Sequence, residues 1–160
     1  MDPKVKIVKV FDCMTEEISL KIKNMFLREG GLSENLLNSR ISEMLFVAID
    51  DVGNIVATCS GHPFYVKELQ GVFLYYRSYT SVDNRTNGLS YDIINVCRSY
   101  FEENRMFLGQ ELKGIYCVFE SPLLNKLKNY IIPRSGLTLI GFTDQGYQKR
   151  VRYFPDAKLS

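Results

Sequence analysis

At 160 residues, 46% hydrophobic and 24% charged, the chain can bury a core of its own and reads as one domain, residues 1–160. Its formal net charge of +2 selects no partner by long-range attraction, and four scattered cysteines with a single histidine argue against a disulfide framework or a structural zinc site. With no apolar run near ~18 residues and no apolar signal region, a cytoplasmic protein that does not enter a membrane is expected.

Residues 4–11 set Val5, Ile7, Val8 and Val10 among Lys4, Lys6 and Lys9, an imperfect alternation that predicts a first strand. Thr15 caps a helix whose first turn carries Glu16 and Glu17; its stripe is Ile18, Ile22, Met25 and Phe26, and Gly30 with Gly31 stops it. Ser33 caps a short second helix with Leu36, Leu37 and Ile41. Residues 44–49 and 55–59 are apolar runs joined by Asp50-Asp-Val-Gly-Asn54, the composition of an antiparallel hairpin. Gly61-His-Pro-Phe-Tyr65 is expected to break the second of these strands. Residues 71–81 form the fourth strand, and Leu89, Ile93, Val96, Cys97, Tyr100 and Phe101 then recur at helical spacing until near Arg105. A loop with Met106 and Leu108 leads to a buried fifth strand at 114–119. Ser121 and Pro122 signal another helix, with Leu123, Leu124, Leu127 and Ile131 on its apolar face and Pro133 at its end. Residues 137–143 and 148–154 close the chain as a hairpin.

Between the fourth strand and the following helix lies a polar turn, residues 79–91, with one Arg and one Gly. A helix start leaves backbone N–H groups unpaired, carries the positive end of the helix dipole and so suits a phosphate. Gly88 allows a positive φ or a close approach. The same turn also reads as an ordinary connection between two elements.

The element order, with Arg85-Thr-Asn-Gly88-Leu-Ser90 at its middle, resembles the GNAT superfamily of N-acetyltransferases, whose signature is Gln/Arg-x-x-Gly-x-Gly/Ala. Ser90 stands in place of the last small residue, and Val82 in place of a usual Pro. Asn125 matches an Asn that the family often has. The resemblance implies an α/β (α+β) fold: a mixed, mostly antiparallel sheet of six to seven strands with about four helices, splayed between strands 4 and 5. It further implies acetyl-coenzyme A as co-substrate and no metal. Its pyrophosphate would lie on Arg85, Thr86, Asn87, Gly88, Leu89 and Ser90, and its pantetheine arm along backbone near Tyr79, Thr80, Ser81 and Val82. Asn125 would add a contact. The link at residues 29–33 and the turn at 144–147 would shape the acceptor pocket, and the resemblance allows a homodimer.

Direct attack by an amine within a ternary complex requires a neutral amine. Deprotonating a lysine-like amine of pKa near 10.4 at pH 7 costs about 4–5 kcal/mol, so a base is expected. Glu120, closing the fifth strand, is the first candidate; it also reads as a surface carboxylate ahead of the Ser121 cap. Asp83 is a second candidate and equally a turn-forming residue. Tyr130 falls where the resemblance implies a tyrosine acid, and it reads as well as an aromatic on the helix's apolar face. Cys117 has no histidine near it in sequence to make it a nucleophile. His62 reads as a loop histidine.

The acceptor is an amine-bearing small molecule or protein. Residues 121–160 hold seven Lys/Arg against two Asp/Glu, and Arg150 and Arg152 share one strand face. That basic hairpin supports an alternative, a GNAT-like enzyme modifying a nucleobase as the phage Mom proteins do, with nucleic acid as partner. As edge charges the same residues need no ligand. A catalytically inactive binding protein of this fold is the remaining alternative.

Overall fold

The structure is a computed structural model and describes residues 4–30, 32–122 and 124–157. In chain order its elements are β1 (Lys6–Lys9), α1 (Glu16–Glu29), α2 (Glu34–Ser42), β2 (Met44–Ile49), β3 (Ile55–Val66), β4 (Gly71–Thr80) and α3 (Leu89–Glu103). There follow β5 (Met106–Phe107), β6 (Gln110–Glu111), β7 (Gly114–Phe119), β8 (Thr138–Phe142) and β9 (Gln148–Tyr153). Seven strands make one sheet in the order β1-β2-β3-β4-β7-β9-β8, while β5 and β6 pair separately. The pairs β1–β2, β2–β3, β7–β9 and β8–β9 are antiparallel. β4 and β7 run parallel, in register only at Leu74–Ile115 and Tyr75–Tyr116, although β7 continues to Phe119. The mixed, mostly antiparallel sheet is as expected, and no helix is long and apolar enough to cross a membrane.

The chain divides into two compact units: residues 1–61 with 78–97, and residues 62–77 with 98–160. The first is built on α1. Thr15 caps this helix, its hydroxyl accepting from the Ile18 N–H at 3.2 Å, and Gly30 ends it at φ +76°. Gly31, the second expected stop, lies outside the described residues. Ile22, Met25 and Phe26 enter a core with Val10, Leu37, Met44, Val47 and Ile55. Full burial of each such side chain contributes roughly 1.5–3 kcal/mol. Ser33 caps α2 as expected, but only Leu37 of the expected stripe is fully buried, and Leu36 is exposed.

The second unit packs Val66, Phe73, Tyr116 and Val151 together. Gly114 opens β7 because the strand beside it comes too close for a side chain: a Cβ there would stand 2.2 Å from the Arg152 carbonyl oxygen. Cys59, Cys97 and Cys117 are buried and Cys13 is exposed.

Three expectations are corrected. β3 is not broken at Gly61 but runs on to Val66. β2 begins at Met44 opposite Ser60, so Pro63 lies beyond the end of that neighbour, where its missing N–H forfeits no ladder bond. The residues after Phe107 turn into the small β5–β6 hairpin. Finally, the helix expected after Pro122 is absent among the described residues: one 3-10 turn, Leu124–Lys126, is all that forms, which leaves three α-helices rather than four. Leu123 lies outside the described residues.

The segment is instead gathered around Arg150, fully buried on β9. Its guanidinium donates to the carbonyls of Asn129 (2.7 Å), Leu137 (3.1 Å), Tyr130 (3.2 Å) and Leu127 (3.5 Å), and its Nε to Gln148 Oε1 (2.8 Å). Three carbonyls of the segment expected to be helical, and that of Leu137 beyond it, thus converge on one cation. Arg150 therefore does not present its charge at the surface, as the basic-hairpin reading supposed.

Candidate active site

The turn ahead of α3 is assembled almost wholly from its own residues. The Ser81 N–H donates to the Val56 carbonyl at 2.9 Å, fixing the chain as it leaves β4. Val82–Asn84 makes one 3-10 turn. Asn84 Nδ2 donates to Ser81 Oγ at 2.8 Å and Asn87 Nδ2 to Asn84 Oδ1 at 3.4 Å; Asn87 Oδ1 accepts the Leu89 N–H at 3.1 Å. Asn87 thereby satisfies the first N–H of α3 from one residue outside the cap position, which Gly88 occupies. Gly88 takes φ +79°, the left-handed region that glycine occupies without penalty, and its carbonyl accepts the N–H groups of Tyr91 and Asp92. Thr86, Asn87 and Ser90 are exposed. Helix geometry gives the Ser90 N–H no acceptor within the helix, so this start keeps donor capacity and dipole for an anion.

Arg85 folds back instead of reaching outward. Its Nε donates to the Thr80 carbonyl at 3.0 Å, and its guanidinium lies 5.4 Å from the centre of the Tyr79 ring.

Glu29, the last residue of α1, meets the turn from the other side. Its Oε1 accepts both the Tyr79 hydroxyl and the Val82 N–H, each at 2.9 Å. Burial pushes its carboxyl pKa up, but bonds from Val82, Tyr79 and Arg28 outweigh this and hold it below the ordinary value. Burial likewise raises the Tyr79 phenol, with the Glu29 carboxylate adding to the rise. The Ser81 and Val82 N–H groups, two of those expected to pair with a pantetheine arm, are thus already engaged by the protein. Sequence reasoning placed Glu29 only in an acceptor-shaping link. A signal was available: a carboxylate at a helix C-terminus opposes the dipole and needs partners elsewhere. A cleft of about 330 Å³ borders this corner, lined among others by Glu29, Asp50, Asn54, Ser81, Asp83 and Asn84.

The other candidates lie in the second unit. Glu120 follows β7 and is exposed. Tyr130 is 66% exposed, so its side chain is not on a buried helix face. Asn125 spends its amide internally: Nδ2 donates to the carbonyls of Phe119 and Ser121, and Oδ1 accepts the Gln148 N–H at 3.0 Å. Burial pushes the Cys117 thiol up to about 12, which keeps it protonated and unreactive. His62 sits on β3, not in a loop, stacked on Tyr75 with ring centres 5.5 Å apart. Among the described residues no group of three or more His, Cys, Asp or Glu could hold a metal ion.

No family model matches the sequence, and no curated protein matches it. Solved structures do. A GNAT superfamily phosphinothricin acetyltransferase from Sinorhizobium meliloti, in complex with acetyl-coenzyme A, superposes with a TM-score of 0.66 at 12% identity, over 98% of this chain and 92% of that one. The ribosomal-protein-S5-alanine acetyltransferase from Vibrio fischeri gives 0.64 at 13% identity, over 96% and 94%. This is the GNAT fold. Arabidopsis thaliana NAA60, also in complex with acetyl-coenzyme A, has the same fold with a TM-score of 0.62 at 9% identity, over 94% of this chain and 98% of its own. In this chain a strand, a turn and a helix follow one another over residues 71–103, the order that was expected there.

Proposed function

We propose that this protein is an acyl-coenzyme A-dependent N-acetyltransferase acting on an amine. The observation that carries the reading is the turn itself: a left-handed Gly88, exposed small or polar residues and an open helix start, all on the GNAT fold. Arg85, Thr86, Asn87, Gly88, Leu89 and Ser90 hold the pyrophosphate, chiefly through backbone N–H groups. Tyr79, Thr80, Ser81 and Val82 line the way in, with fewer free donors than the resemblance implied. Bound acetyl-coenzyme A supplies its acetyl group as a thioester. Glu120 takes the proton from the incoming amine, and the Tyr130 hydroxyl serves as acid toward the leaving sulfur. Asn125 acts indirectly, by keeping residues 119–125 in place. The protein acts without a metal, in the cytoplasm, on a small-molecule or protein amine. The burial of Arg150 removes one of the charges that supported a nucleobase acceptor.

Calorimetric titration with acetyl-coenzyme A, coenzyme A and adenosine 3′,5′-bisphosphate tests this. A ligand at a hundred times its Kd adds about 2.7 kcal/mol of stability, an easily seen rise in Tm. Acetyl-coenzyme A should give that rise and Gly88→Asp, which puts a carboxylate where phosphate lies, should abolish it. Tight binding without thiol release across a panel of amines would leave a binding protein of this fold.

A further inference from the structure

We propose that Glu29 is a positioning residue for the cofactor turn, fixing its entry so that the helix start beyond it is preset for the anion. The inference rests on the acyl-coenzyme A reading and adds a residue to it.

One carboxylate oxygen accepts from two groups fifty or more positions along the chain, the Tyr79 hydroxyl and the Val82 N–H. Its side chain is only 11% exposed, so these bonds are sheltered from competing water. Hydrogen bonds to an ionised acceptor are the stronger kind. The bond to Val82 stands at the first residue of the 3-10 turn. From there the chain of contacts continues without a gap: Ser81 to Asn84, Asn84 to Asn87, and Asn87 to the Leu89 N–H that opens α3. Phe26, one turn before Glu29 on α1, packs its ring 4.9 Å from that of Tyr79, so the contact is built from both apolar and polar sides. A surface ion pair would not be assembled this way; its outer oxygen meets only Arg28, at 3.4 Å. The consequence is that the donors left for a ligand are presented by a turn already held in shape. Less ordering entropy is then lost on binding.

The test is the acetyl-coenzyme A Kd of a substitution series, measured by calorimetry on folded protein checked by circular dichroism. Glu29→Ala should weaken binding about tenfold. Glu29→Gln, which keeps a carbonyl oxygen in the same place, should stay within about threefold of the parent. Glu29→Asp, one methylene short, should behave like the alanine variant and stands in for it if that variant does not fold. Parental affinity in both Glu29→Ala and Glu29→Asp overturns the proposal, as does Glu29→Gln binding as weakly as Glu29→Ala. A parent protein with no affinity for acetyl-coenzyme A would instead overturn the cofactor reading itself.

Discussion

Two irregular stretches, residues 81–90 and 120–137, are held by opposite means. The first is closed by neighbours: Ser81, Asn84, Asn87 and Leu89 are linked at steps of two or three residues, and one distant carboxylate, Glu29, secures the entry. The second has local bonds as well, among them those of the Asn125, Leu127 and Gly136 N–H groups, but its Leu127, Asn129, Tyr130 and Leu137 carbonyls converge on a guanidinium that joins the chain more than ten residues later. A locally closed turn can be read from its own residues. A loop organised by a remote cation cannot.

The sharpest way to separate the two is to remove the cation. Arg150→Met removes one donor from four carbonyls and from Gln148 Oε1, of which the Leu127, Tyr130 and Leu137 carbonyls keep another, and should cost about 3 kcal/mol in urea unfolding, with protease cutting first appearing within residues 124–137. The first stretch should keep its acetyl-coenzyme A affinity; loss of both would mean that the two are not independently held. Next in size, Asn125→Ala deletes two donated bonds and one accepted bond at the same loop and should cost about 1–3 kcal/mol by the same measurement. Asn84→Ala breaks the local ladder in the exposed turn. It should cost about 1 kcal/mol or less, and show chiefly as faster hydrogen exchange at the Leu89 amide.

The smallest effect distinguishes the fasteners by acid. The Glu29 carboxyl has a folded pKa below its unfolded one, so its contribution is complete above the ordinary carboxylate value and disappears as pH falls through the lower folded value. Stability of the parent should therefore fall relative to Glu29→Gln across that acidic window and run parallel to it near neutrality. Burial lowers the Arg150 pKa too, yet an arginine keeps its proton throughout, so the 124–137 loop should show no such titration of its own clamp.

Much of the fold was legible because its signals are local. Thr15 and Ser33 cap helices by bonding residues three positions on. Asp50 closes its hairpin by accepting from Val52 and Asn54. The motif around Gly88 falls on a strand-turn-helix with the positive φ that glycine there allows. Leu124, Leu127 and Ile131 misled because helical spacing describes a pattern, not a competition. The carbonyls of Leu127, Asn129 and Tyr130 meet Arg150, and nothing within that segment advertises it. In the same way β3 outran its predicted end because Pro63 is harmless once β2 has stopped, a fact about the neighbour rather than the strand. Within the turn, the bonds from Ser81 to Leu89 join residues close enough in sequence to be read together. Glu29 carried only the signal of a carboxylate at a helix C-terminus, and which partners answer it, fifty residues away, was not readable.

The burial of three cysteines provides a built-in gauge of how the protein comes apart. Cys59 and Cys97 lie in one compact unit and Cys117 in the other, while Cys13 is open to reagent from the start. A brief maleimide pulse during unfolding, read peptide by peptide in a mass spectrometer, would time the exposure of each interior without any introduced probe.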